Sequence, residues 1–114
     1  MVRKVLPSNH FKLVEYLCVG GKSPFADWFE ALDPTTRARV SVTLNRMTFG
    51  NFGDCKAVGG GVTESRLHFG AGHRIYFARV GRTVLLLLGG GTKRRQASDI
   101  SQAKARWSEY CART

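Results

Sequence analysis

The stretch from residue 61 to residue 77 constrains the fold of this chain more than any other. Two runs in which apolar and polar residues alternate, residues 62–69 and 73–77, flank the short segment Gly70-Ala71-Gly72. Glycines make a tight turn easy to form, and two alternating runs joined by such a turn are typical of a β-hairpin. The sequence therefore predicts two antiparallel strands that begin and end within this stretch.

The predicted hairpin has one apolar face and one polar face, because side chains alternate between the two sides of a strand. The apolar face carries Leu67, Phe69, Ile75 and Phe77. The opposite face carries Glu64, Arg66, His68, Arg74 and Tyr76. An apolar face predicts packing against a core, and a cationic face rich in hydrogen-bonding groups indicates a site that handles phosphate.

Helix and strand signals surround the hairpin. Ser23-Pro24 and Asp33-Pro34 each place a capping residue before a proline, which predicts two consecutive helices, the second over residues 35–47. Four further elements are predicted: a first strand over 11–19, a loop over 55–61, a buried strand over 83–88 that ends at Gly89-Gly90-Gly91, and a last helix over 98–111. The predicted fold is an α+β domain of order β-α-α-β-β-β-α, with a mainly antiparallel twisted sheet and the two N-terminal helices packed on one face.

Length and charge limit the function classes. The 114 residues predict one domain over residues 1–114, with residues 1–10 as a loose tail. The net charge is +10, and residues 61–114 hold 10 Lys/Arg against 3 Asp/Glu, which favours anionic partners. The longest apolar run, residues 84–88, is too short to cross a membrane and no apolar leader is visible. We therefore expect a cytoplasmic protein with no membrane partner.

Nucleotide and metal sites are not indicated by any motif. Neither glycine cluster, residues 59–61 or 89–91, has the spacing of a phosphate-binding loop or of a dinucleotide fingerprint. The three cysteines, Cys18, Cys55 and Cys111, form no CxxC pair with zinc-ligand spacing. The sequence predicts no metal and no cofactor.

The basic residues around the polar hairpin face form the candidate phosphate site. They are Lys56, Arg66, Arg74, Lys93, Arg94 and Arg95. Most Lys and Arg side chains are only solvated surface, but Arg66 and Arg74 lie in mid-strand beside Tyr76, where a purely solvated cation is not expected. Guanidinium groups bind phosphate bidentately and stabilise the charge that develops when it is attacked.

Histidines are the natural candidates for proton transfer, since imidazole titrates near neutral pH. His68 lies on the polar face and is a candidate general base, although an exposed polar role is the commoner one for such a residue. His73 falls on the apolar register and is predicted to pack.

Several segments in order resemble one known family. They are Phe25-x-x-Trp28-x-x-x-Leu32, Gly50-Asn51-x-Gly53-Asp54-x-Lys56, Gly61-Val62-x-Glu64-x-Arg66, Gly70-x-Gly72-His73-Arg74-Ile75-Tyr76-Phe77 and Leu86-Leu87-Leu88-x-Gly90-x-x-Lys93. With them, the chain resembles the RelE/ParE superfamily of toxin–antitoxin toxins, in the branch of phage-derived, HigB-like addiction module killer proteins.

The resemblance implies a toxin that is inhibited by a cognate antitoxin, often a small helix-turn-helix protein. It implies cleavage of mRNA on the ribosome by attack of the RNA 2′-hydroxyl, at a basic, metal-free site on the open sheet face. Arg74 matches the arginine that relatives use on the phosphate. Arg66 and Lys56 match basic strand positions, and Lys93 or Arg94 matches the basic residue after the last strand.

The resemblance leaves the proton-transfer residue open. RelE has a tyrosine beyond that last basic residue, where this chain has residues 96–100 and no tyrosine. Candidates are Lys56, Glu64, His68 and Tyr76. Two other functions also remain open: a non-enzymatic ParE-like toxin that acts on DNA gyrase, and a decayed toxin that only binds RNA or its antitoxin.

Overall fold

A five-stranded mixed sheet forms the centre of the structure, which is a computed structural model that describes residues 10–114. The strands are β1 (Lys12–Glu15), β2 (Asp54–Gly59), β3 (Val62–Leu67), β4 (His73–Val80) and β5 (Val84–Thr92), and the helices are α1 (Pro24–Glu30), α2 (Pro34–Thr48) and α3 (Gln96–Arg113). The strand order is β1-β5-β4-β3-β2; only β1 and β5 pair in parallel. The α+β class is confirmed, and the predicted tail lies outside the described residues except for His10.

The hairpin forms as its turn signal predicts. β3 pairs with β4 in antiparallel register, with Glu64 opposite Tyr76 and Arg66 opposite Arg74. Both predicted helices also begin at their capping residues: Ser23 accepts from the Ala26 amide at 3.0 Å, and Asp33 accepts from the Thr36 amide at 3.2 Å. These elements are specified by a few neighbouring residues, so one amino-acid sequence is enough to predict them.

The prediction of a loop over residues 55–61 is wrong, because most of this segment belongs to the strand β2. β2 is an edge strand whose side chains are almost all exposed, so it lacks the apolar alternation by which strands are recognised. Gly59, Gly60 and Gly61 make the turn into β3 with φ of 97°, 62° and 85°, a region that favours glycine. The element order is therefore β-α-α-β-β-β-β-α, with one strand more than predicted.

The predicted end of the last strand at residues 89–91 is also wrong, since β5 continues through these glycines to Thr92. They serve close packing instead of ending the strand. A methyl group at Gly90 would overlap the Trp28 indole of α1, and one at Gly91 would overlap the Asp99 carboxylate of α3. Two smaller differences accompany this one: β1 is shorter than predicted, and α3 begins at Gln96 rather than Ser98.

Each face of the sheet is covered by helix. Phe25 of α1 and Val40 and Met47 of α2 pack in one core with the apolar hairpin face. Ala103 of α3 packs in a second core that includes Tyr76. The resemblance implied an open polar face, but this face is only partly open. α3 covers the part around Tyr76, and the end near the β3–β4 turn is accessible.

Replacement of Gly90 by alanine should destabilise the protein by about 1–3 kcal/mol, the usual cost of overpacking a core. The added methyl group would force the Trp28 indole out of its position against β5. The measurement is the free energy of unfolding in urea. Trp28→Leu in the Gly90→Ala background should recover part of the loss, and strictly additive effects of the two substitutions would contradict this contact.

Candidate functional site

A cleft of about 670 Å³, called the hairpin cleft below, opens at the accessible end of the polar face. It lies between the β3–β4 turn and the start of α3, and its polar lining consists of Arg66, His68, His73, Arg74, Lys93 and Gln96. Among the described residues, those that line it include none that is acidic. The cleft therefore presents a positive field to any ligand that enters it.

Glu64 lies beneath this cleft and is fully buried, at 0% exposure. Its carboxylate accepts hydrogen bonds from Arg66 Nε at 3.0 Å, from the Tyr76 hydroxyl at 3.1 Å and from Gln96 Nε2 at 2.9 Å. Burial alone would raise the pKa of Glu64, but the hydrogen bonds outweigh it and hold this pKa below its usual value. Glu64 is thus a buried anion that ties three elements together.

The two arginines of the site are held on opposite oxygens of this carboxylate. Arg66 Nε contacts Oε1, and Arg74 Nε lies 3.4 Å from Oε2. Arg74 Nη1 also donates to the Gly72 carbonyl at 2.7 Å, while its Nε makes no hydrogen bond within residues 10–114. The side chain of Arg74 is only 10% exposed and that of Arg66 30%. Both line the cleft in fixed positions.

The other predicted cations separate into one that lines the cleft and three that do not. The Lys93 amide donates to the Gly72 carbonyl at 3.0 Å, which fixes Lys93 beside the hairpin turn and on the cleft. Arg94 and Arg95 follow in the same short 3-10 turn, Lys93–Arg95, but are exposed away from the cleft lining. Lys56 lies opposite Glu64 on β2, exposed and also outside the lining.

Tyr76 belongs to the core rather than to the cleft. Its side chain is 1% exposed, and its hydroxyl donates to Glu64. Burial, together with the negative charge of Glu64, raises the pKa of Tyr76. The hydroxyl is therefore kept protonated and out of reach of a ligand in the hairpin cleft.

His68 lines the cleft and has a partner that the sequence did not indicate. Its Nε2 lies 2.6 Å from Asp54 Oδ2, with side-chain exposures of 72% and 50%. Because a carboxylate oxygen only accepts, Nε2 is the donor of this pair, and in the neutral tautomer that makes this hydrogen bond the acceptor nitrogen is Nδ1. Asp54 was not among the predicted site residues, because its position opposite Arg66 depends on β2, a strand that the sequence does not predict.

His73 packs as predicted. It is 9% exposed, and its ring stacks on Phe69 with 5.3 Å between centroids. Burial lowers the pKa of His73, which favours the neutral ring. It forms part of the cleft wall.

The first turns of α3 supply two polar groups that sequence reasoning did not assign to the site. Gln96 bonds Glu64 as described, and Asp99 lies against Gly91 with its Oδ2 buried and, within the described part of the chain, without a hydrogen bond. Burial raises the pKa of Asp99, against the lowering effect of Arg95 and Arg106. Contacts across 32 residues, such as that of Gln96 with Glu64, leave no local signal in a single sequence.

No protein-family model matches the chain. Over 81 residues the chain is 38% identical to an uncharacterized protein of Haemophilus influenzae, and the alignment covers 70% of this chain and 82% of that protein. In the described range, no helix has the length and apolar character to cross a membrane, and no group of His, Cys, Asp and Glu residues has the arrangement of a metal site.

Proposed function

The chain belongs to the same family as this Haemophilus influenzae protein, and we propose that it is the toxin of a type II toxin–antitoxin system. The toxin cleaves mRNA on the ribosome, in the cytoplasm, without a metal or a cofactor. A small helix-turn-helix antitoxin is its cognate inhibitor. The resemblance of the hairpin and its flanking segments to HigB-like toxins is the sequence basis of this proposal.

One structural observation supports the proposal. Arg66 and Arg74 are held on the two oxygens of one buried carboxylate, at the floor of a cleft whose described lining includes no acidic residue. Paired guanidinium groups in fixed positions suit a phosphodiester, whose oxygens accept hydrogen bonds and carry the negative charge. Lys93 adds a third cation at the cleft wall.

The reaction that this cleft supports is transesterification of RNA. A base removes the proton of a ribose 2′-hydroxyl, and the 2′-oxygen attacks the adjacent phosphorus. The bond from phosphorus to the 5′-oxygen breaks, and this oxygen leaves with a proton from an acid. The products are a 2′,3′-cyclic phosphate and a free 5′-hydroxyl, so no water is consumed and no redox partner is needed.

The roles follow from which groups reach the cleft. Arg66, Arg74 and Lys93 stabilise the extra charge on the pentacoordinate phosphate. His68, with its proton on Nε2 held toward Asp54, accepts the 2′-hydroxyl proton at Nδ1. Glu64 and Tyr76, two other acid–base candidates, are buried: Glu64 pairs with the arginines, and Tyr76 donates to Glu64. Lys56 is outside the cleft lining.

The test is induction of the full chain in a bacterium, with mapping of mRNA 5′ ends. Growth arrest with new 5′-hydroxyl ends inside coding regions supports the proposal. Arrest with intact mRNA and induction of the DNA-damage response would assign the protein to a gyrase-directed, ParE-like function. Growth without arrest, at confirmed protein levels, would contradict a toxin function altogether.

Arg66→Ala should relieve the arrest and lower the cleavage rate by about 10²–10³-fold, the range for loss of one group that stabilises transition-state charge. The matched control is Arg82→Ala, which removes an exposed arginine from the β4–β5 turn at the opposite end of the hairpin. Thermal unfolding of both purified variants checks that they fold. Arrest by Arg66→Ala equal to that by Arg82→Ala would remove Arg66 from the site.

A further inference from the structure

A second cleft, called the α2 cleft below, adjoins the hairpin cleft at the end of β3. It has a volume of about 370 Å³ and is bordered by α2, by the loop that follows it and by β3. Residues 66–69 line both the α2 cleft and the hairpin cleft. The two clefts therefore adjoin each other where β3 leads into the β3–β4 turn.

The α2 cleft is cationic. Arg39 and Arg46, both exposed, are seven residues apart on α2 and so lie on one side of the helix about 10 Å apart. Arg66 closes the cleft from β3. Of the described residues that line it, none is acidic, so no carboxylate in the lining offsets the charges of Arg39 and Arg46.

The α2 cleft also offers flat and apolar surface between the charges. The guanidinium of Arg39 lies 4.9 Å from the centre of the Phe69 ring. Val42, which is 51% exposed, and buried Leu67 complete the apolar part. Phe69 itself stacks on His73 of the hairpin cleft, which holds its ring in place.

Alternating cations and flat apolar groups match a single nucleic-acid strand. Phosphates need Lys or Arg at intervals, and unpaired bases stack on aromatic rings and on guanidinium planes. An acidic peptide would use the charges but would not need a stacking surface next to them. The composition of the α2 cleft therefore favours RNA over an acidic protein as its occupant.

We propose that the α2 cleft is a second RNA-binding site, which holds the single-stranded nucleotides next to those in the hairpin cleft. Arg39 and Arg46 contact phosphates, and a base stacks on the guanidinium plane of Arg39, which lies over Phe69, with Val42 beside it. The RNA strand passes over residues 66–69 from one cleft to the other. This inference rests on the proposed function, since the hairpin cleft must hold RNA for the strand to continue.

The test is binding of a fluorescein-labelled, 2′-O-methyl RNA of about 12 nucleotides, a length within the span of single-strand binding grooves. Such an RNA has no free 2′-hydroxyl and cannot be cleaved, so binding is measured apart from catalysis. The double variant Arg39→Ala/Arg46→Ala should bind it at least about tenfold more weakly. The slope of log K against log salt should become shallower by about 1.4, because each single-strand phosphate contact contributes about 0.7.

The control is Lys12→Ala/Arg82→Ala, which removes two exposed charges at the other end of the sheet. It should lose little affinity, and thermal unfolding checks that both double variants fold. Equal RNA affinity of the two double variants would overturn the α2 cleft as an RNA site. Lys93→Ala then separates the proposals, because Lys93 lines the hairpin cleft and not the α2 cleft. If Lys93→Ala weakens RNA binding, the hairpin cleft remains an RNA site; if neither this variant nor Arg39→Ala/Arg46→Ala weakens it, both proposals are rejected.

Discussion

Alanine at His68 is expected to slow RNA cleavage by about 10²–10⁴-fold, the contribution of a well-placed general base. His68 lines the hairpin cleft, and its Nε2 lies 2.6 Å from Asp54 Oδ2, which orients the ring. RNA affinity should change little, because the cations that bind phosphate remain. Single-turnover cleavage of ribosome-bound mRNA by the purified protein measures the rate, and the uncleavable RNA described above measures the affinity.

Two further variants make this expectation specific. His10→Ala removes an exposed histidine that stacks on Phe49, away from the cleft, and should cleave like the wild type. Asp54→Asn should have a smaller effect than His68→Ala, because the imidazole stays in place but loses its carboxylate partner. Full cleavage by His68→Ala would show that another group accepts the 2′-hydroxyl proton.

Removal of the Glu64 carboxylate is expected to destabilise the fold by about 3–5 kcal/mol, the range for breaking a buried ion pair from one side. Glu64→Ala leaves Arg74, with a side chain only 10% exposed, beside an empty space and without its counter-charge. It also leaves Tyr76 and Gln96 without an acceptor. For a domain of this size the melting temperature should fall by more than about 10 °C.

The pH dependence of this loss distinguishes charge from packing. The folded-state pKa of Glu64 is lowered, so its stabilising effect is fully present above the unfolded pKa and is lost as pH falls through the folded one. The difference in unfolding free energy between wild type and Glu64→Gln should therefore be constant near neutral pH. It should shrink as pH falls below about 4.3, the ordinary pKa of glutamate.

The matched control for Glu64 is Glu15→Ala, which removes an exposed carboxylate from β1. Its stability should change by less than about 0.5 kcal/mol, as is usual for surface substitutions. If the loss of unfolding free energy in Glu64→Gln did not vary with pH, the negative charge of Glu64 would not be the source of its stabilising effect. Its hydrogen-bond geometry would then be the source.

The parts of the fold that were predictable are those with local causes. The Gly70-Ala71-Gly72 turn and the caps Ser23 and Asp33 act over three or four residues, and each specifies its element without help from the rest of the chain. β2 has no such cause: it is exposed, and it is a strand because β3 offers it a partner. The glycines of β5 predict the end of the strand. In the structure they leave room for the side chains of Trp28 and Asp99, which pack against the β5 backbone.

The candidate site divides in the same way. Arg66 and Arg74 could be found from their position in mid-strand, because a strand's side chains alternate predictably. The anchoring role of Glu64 and the pairing of His68 with Asp54 join residues 12 to 32 positions apart in sequence. Such contacts depend on strand register and on where α3 lies, and neither is encoded in the local pattern.

The Glu64 carboxylate also bears on how much the cleft must rearrange when a substrate binds. One oxygen accepts from Arg66, and the other is ion-paired with Arg74, which also donates to the Gly72 carbonyl. An incoming phosphate therefore meets cations whose orientation is already set. In the proposed reaction, the two arginines then need little reorientation during the chemical step. Charges that are already oriented stabilise a transition state most effectively. Turnover and thermal stability should thus be coupled in this protein, because one buried hydrogen-bond acceptor serves both.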